Sequence, residues 1–228
     1  MMAMFSKLFG MTSVDDDLYT IQAQALRDLE MLAYTKADVL RLELERDARA
    51  SYSQGQADLP INDVLDSMSM IHVCLFRDLP QVPTHLSFNF QNFISGVEPE
   101  VNTGICRYVS GLLFSSVGMR STGTHTFEGQ CLASEGDKLL RIDLRGWHLN
   151  TSTEVQAQSA NQAIVLSAIK SEIELSRINI TRFIHVYQQQ LALAGLDYYA
   201  RERAIETVNT IYRERYLNPN RNRVSLMA

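Results

Sequence analysis

Residues 154–194, EVQAQSANQAIVLSAIKSEIELSRINITRFIHVYQQQLALA, contain neither glycine nor proline, and their reading decides the fold. Leu166, Ile169, Ile173, Ser176, Ile180, Phe183, Tyr187 and Ala194 mostly recur at alternating three- and four-residue steps. That is a heptad-like seam with Ser176 as its one polar member. A second stripe, Ile164, Leu175, Ile178, Val186 and Leu193, broadens the apolar face, as expected of a helix packed on a sheet or in a bundle. The spacing predicts a long helix within 153–194, as one piece or two. Unbroken, about 40 residues at 1.5 Å each span roughly 60 Å, more than a small domain can cover. Such a helix breaks, or it reaches another molecule.

Downstream, Gly195 and Asp197 read as a helix stop and the N-cap of a final helix, Tyr198 to Tyr216. That helix presents Ile205, Val208, Tyr212 and Tyr216, and Pro219 closes the helical region 153–217. Residues 219–228 read as a mobile tail.

Upstream, eight of the eleven glycines lie between Gly96 and Gly146, and four of the five prolines between Pro60 and Pro99. These residues break helices, so a sheet-rich segment over 70–150 is expected. Its clearest strands are His85–Gln91, where Leu86, Phe88 and Phe90 alternate with polar residues, and the run Leu140, Ile142, Leu144. Met70 to Phe76, Ile105 to Val117 and Thr124 to Leu132 supply further strands, the second with a short helix as its alternative, and a short helix is expected from Asn62. One wet face per strand points to antiparallel pairing.

Residues 13–51 have no breaker. Ser13 and Asp16 resemble a capping box, and Leu18, Ile21, Ala25, Leu29 and Leu32 form an apolar stripe. The expected fold is therefore α+β: an N-terminal helix, an antiparallel sheet of four or five strands, a long C-terminal helix and a final helix. Residues 13–218 form one domain. Residues 1–12, with Met4, Phe5 and Phe9, form a flexible or docking arm.

Composition excludes several classes. A 46% hydrophobic and 21% charged chain is ordinary for a globular protein, and no apolar run approaches the roughly 20 residues of a membrane span. The formal charge of −5 argues against general nucleic-acid binding. Residues 198–228 carry six arginines against three glutamates, 6 − 3 = +3, which leaves an arginine-bearing tail as the one nucleic-acid alternative. Three widely spaced cysteines, Cys74, Cys106 and Cys131, fit neither a disulfide framework nor a zinc site. With no signal peptide apparent, a reducing, cytoplasmic location is expected.

Chemistry is sparse. His72, His85, His125, His148 and His185 have no metal-ligand spacing, so neither metal nor cofactor is expected. Residues 118–126 (GMRSTGTHT) resemble a phosphate loop but have Thr124 where its lysine would stand. A β-hairpin turn with Thr-rich strand ends explains the same residues without any ligand and is the preferred reading. Arg120, Ser121, Thr124 and His125 remain candidates for an anion site in a small enzyme or ligand-binding domain. Arg141, Asp143, Arg145 and Trp147 share one strand face, either as an ion-pair row or as an interface patch.

No constellation carries catalysis. The reading is a non-enzymatic interaction or assembly protein, a class that includes viral and phage assembly factors. It would bind a protein partner or itself through the C-terminal helices and N-terminal arm. Its candidate contacts are Met4, Phe5, Phe9, Arg141, Arg145, Trp147, Ile169, Ile173, Ile180, Phe183 and Tyr187.

Overall fold

The computed structural model describes residues 5–53, 59–74, 82–117, 123–151 and 162–217. In chain order these form α1 (Phe5–Ser53), β1 (Ile61–Cys74), α2 (Val82–Phe93) and α3 (Pro99–Val117). They continue as β2 (Gly123–Glu135), β3 (Lys138–Asn150), β4 (Gln162–Ile173), α4 (Ile180–Leu193) and α5 (Tyr198–Tyr212), the last running into a π turn over Arg213–Leu217. The strands form one antiparallel sheet in the order β1-β4-β3-β2. The α+β class, the N-terminal helix, the four-stranded sheet and the C-terminal helices match the expectation from sequence.

The sheet is covered on both faces. Side chains alternate across a strand, so neighbouring residues serve different layers. On one face, Ala163, Val165 and Trp147 pack with Leu29, Ala33, Ala37 and Leu40 of α1. On the other, Leu140, Ile142, Leu144, Ile164 and Leu166 join Leu86 and Phe90 of α2, Val109 and Leu113 of α3, Phe183 and Tyr187 of α4, and Val208 of α5. Burying a leucine or phenylalanine contributes about 1.5–3 kcal/mol, so this larger layer holds most of the stability.

α1 sits very close to the sheet. Ser69 and Ser167 are cross-strand neighbours whose hydroxyls lie 2.7 Å apart, and each is 3.3 Å from the Ala37 carbonyl. Ala33 and Ala37 are 0% and 3% exposed, so nothing larger than a methyl group separates helix from strands there.

Two turns set the remaining geometry. Gly136, at φ +59°, takes the first central position of the β2–β3 hairpin, where a type II′ turn requires a left-handed residue. Gly195, at φ +75°, ends α4 with the paired bonds Leu196 N to Leu191 O and Gly195 N to Ala192 O. Asp197 then caps α5 by accepting from the Ala200 N–H, as its position predicted.

Several elements differ from the sequence reading. The stretch within 153–194 contains a central strand, β4, followed by the 14-residue α4. β4 is buried on both faces except at Lys170, so its apolar residues are continuous and imitate a helical seam. The long helix is α1, 49 residues, and it already includes 5–12, the segment read as a separate arm. Residues 85–91 lie in α2, where Leu86 and Phe90 are buried one helical turn apart while Phe88 is 61% exposed. Residues 105–117 are helical, and the region from Asn62 is strand β1. The tail 219–228 lies outside the described residues.

Candidate functional site

α1 is seated on the sheet by a single stripe. Leu29, Ala33, Ala37, Leu40, Leu44 and Ala48 recur every three or four residues and are buried. They span about 30 Å of a helix roughly 73 Å long. Helix direction follows from the contacts: Ala37 meets Ser69 of β1 and Ser167 of β4, and Glu43 and Asp47 meet Arg145 of β3, so α1 crosses the sheet from β1 and β4 toward β3. None of the described side chains from Thr20 to Asp28 is buried.

A second apolar stripe lies exposed beside the first. Ile21 (65% exposed), Leu32 (41%) and Val39 (40%) fall within about 20° of one another on the helix, about a third of a turn from the seated line. Met31, Tyr34 and Leu42 add exposed apolar surface further around. The flank bearing Leu32 and Val39 also bears Lys36, whose ammonium lies 6.0 Å from the Trp147 ring, and Glu43. It therefore borders the half of the sheet that α1 leaves uncovered. There, a cleft of about 380 Å³ runs between Leu44, Asp47 and Ala48 of α1 and Glu128, Gln130, Arg141, Asp143 and Arg145 of the sheet.

The charged row on β3 fastens α1 in place. Arg145 bridges Glu43 at 3.1 Å, Asp47 at 3.2 Å and Glu128 at 3.7 Å. Burial pulls the Asp47 carboxyl up, but hydrogen bonds from Arg46 and Arg145 and their charges outweigh it and hold the group below the usual range. Arg141 bonds Asp143 at 2.7 Å and the Leu59 carbonyl at 2.9 Å while 5% exposed. Trp147 is 4% exposed. The ion-pair alternative describes Arg141, Asp143 and Arg145, while Trp147 packs beneath α1. Arg141 and Trp147 are covered by their own chain and offer no partner surface.

The other predicted contacts separate in the same way. Ile169, Ile173, Phe183 and Tyr187 are at most 1% exposed and belong to this subunit's core, because the seam that suggested an external face is a buried strand and a buried helix stripe. Ile180 is partly buried against that core. Met4 lies outside the described residues. Phe5 and Phe9 lie in the first turns of α1. Sequence reading missed Met31, Tyr34, Val39 and Leu42, although their spacing around a charged helix was visible.

Arg120 and Ser121 lie outside the described residues, and Thr124 is exposed near the start of β2. His125 pairs across the sheet with His148, ring centroids 6.0 Å apart. His148 is fully buried, and neither ring nitrogen makes a well-formed hydrogen bond. Burial pulls that imidazole below its ordinary value. Gln162 and the Ser116 backbone pull the other way, and His125 adds to the depression. A buried neutral imidazole on a covered face is a poor anion ligand.

Two of the three thiols are poor nucleophiles. Burial pushes the Cys106 thiol up to about 11 and the Cys131 thiol up to about 12, so both stay protonated and inert at neutral pH. None of the three cysteines is in a disulfide. Among the described residues no group of three metal-ligating side chains converges, and no helix is long and apolar enough to cross a membrane. Compared with family models, curated proteins and solved structures, the chain has no match.

Proposed function

We propose that this chain is a non-enzymatic interaction or assembly protein that docks through α1. One observation carries the reading: among the described side chains of the 49-residue α1, the buried ones run from Leu29 to Ala48, and Ile21, Leu32 and Val39 line an exposed flank beside that seat. An amphipathic helix with a second apolar stripe recognises a groove or another helix by anchors at helical spacing. The C-terminal helices spend Phe183, Tyr187 and Val208 internally and leave Val186, Leu193, Tyr198 and Tyr199 exposed, and we assign docking to the N-terminal helix because its exposed stripe lies directly beside its seat. Three cysteines outside any disulfide fit a reducing compartment.

The test is a triple variant, Ile21→Glu, Leu32→Glu and Val39→Glu, in the full chain. All three side chains are exposed, so the reading expects thermal stability to change little. It also expects the apparent size of the protein in a native extract, measured by size exclusion, to fall below that of the wild type. Unchanged size for the triple variant, or a wild-type chain that already runs alone, would remove α1 as the docking element.

A further inference from the structure

Among the described residues, the outer edge of β2 is closed at one end and open at the other. At Leu132 the backbone N–H donates to Gln190 Oε1 at 2.6 Å, and the carbonyl accepts from Gln190 Nε2 at 2.8 Å. One side-chain amide from α4 thus imitates a neighbouring strand. These bonds show that Leu132 turns its backbone groups outward. Backbone groups alternate along a strand, and the β2–β3 register is unbroken from Gly123 to Glu135. Gln130, Glu128, Thr126 and Thr124 therefore turn theirs outward too. All four are exposed, and among the described residues no backbone group pairs with them on that side.

We propose that a second copy of this chain pairs with that edge, antiparallel about Phe127, and joins the two four-stranded sheets into one. The edge is complementary to itself in this register. A two-fold at Phe127 sets Thr126 opposite Glu128 and Thr124 opposite Gln130, each pair exchanging two hydrogen bonds. No like charges oppose one another, and Glu128 is the one charged residue among the four. On the helix-packed face, the two Phe127 residues become cross-strand neighbours, near Tyr108 and Leu112 of α3, both of which reach Gly129. The opposite edge of the sheet is unsuited to this pairing. β1 carries register shifts between Ile61 and Asp63 and between Val64 and Asp66, with Asp63 and Asp66 exposed.

This contact is separate from the α1 surface and stands without it. The experiment is light scattering of the full chain across a concentration series, with Thr126→Glu and Thr126→Lys as paired variants. Thr126 is exposed, so both fold alike in the monomer. The wild type doubles in mass with concentration. Thr126→Glu sets carboxylates against the partner's Glu128 twice per dimer and weakens association at least tenfold, whereas Thr126→Lys sets opposite charges there and associates no more weakly than wild type. A wild type that stays at one chain mass overturns the proposal, as do two variants that behave identically. Loss of the dimer in the α1 triple variant but not in Thr126→Glu also overturns it, while leaving the α1 reading intact.

Discussion

Gln190 and Leu132 are joined by both backbone groups of the leucine, a side-chain amide standing where a fifth strand would run. Leu132 is 1% exposed, so water cannot replace the amide. Replacing Gln190 by leucine leaves one N–H and one C=O buried without partners. The expected loss is about 1–3 kcal/mol, read from a shifted urea midpoint at constant slope. A loss below a few tenths of a kcal/mol would mean that the edge repacks.

The α1 seat depends on small residues at Ala37, Ser69 and Ser167. Enlarging Ala37 to leucine forces the helix off both hydroxyls and costs about 1–3 kcal/mol or more by overpacking. Ala23→Leu, on the exposed stretch of the same helix, changes stability by at most about 0.5 kcal/mol. Chemical denaturation of the two variants side by side checks the difference.

Gly146 lies directly under the Phe127 ring: a Cβ built there would come 1.9 Å from Phe127 Cζ. Gly146→Ala displaces that ring and destabilises by about 1–3 kcal/mol. Phe127→Ala makes the same alanine tolerable. A double-mutant cycle reads the coupling directly, and additive effects would contradict the packing.

His148 gives the stability a pH dependence of known sign. Its folded value lies below the ordinary imidazole range because burial disfavours the charged ring. Below an unfolded value of about 6.5, the unfolded chain binds a proton that the folded chain refuses, so stability falls as the pH drops toward the folded value. His148→Leu removes the titrating ring, whose nitrogens make no well-formed hydrogen bond. That variant is as stable as wild type or more so near pH 6, and its unfolding free energy is flatter between pH 6.5 and pH 5. Parallel curves for the two proteins would exclude His148 as the titrating group.

Where a helix or strand had one wet face, the sequence was legible. α1 announced itself through Leu18 to Leu32 without a breaker, and β3 through Leu140, Ile142 and Leu144. Legibility failed where both faces are covered or where a pattern is shared by chance. β4 is wrapped by α1 on one side and by α2 to α5 on the other, so Ile164 to Ile173 lost the alternation that marks a strand. In α2, Leu86, Phe88 and Phe90 alternate, but Leu86 and Phe90 are also one helical turn apart, and that spacing won. The candidate surface was half legible. Arg141 to Trp147 stood out by composition, yet only the path of α1 over β3 shows that these residues anchor a helix within the chain.

The most direct test of α1 as the docking element is photo-crosslinking in producing cells, with the probe at Ile21 in one version and at Ala33 in another. Ile21 on the open flank is expected to give intermolecular adducts that disappear when Val39 and Leu32 become glutamate, while Ala33, facing the sheet, gives only intramolecular ones. An Ile21 probe that captures no other chain, or the same adducts from both positions, would contradict the account.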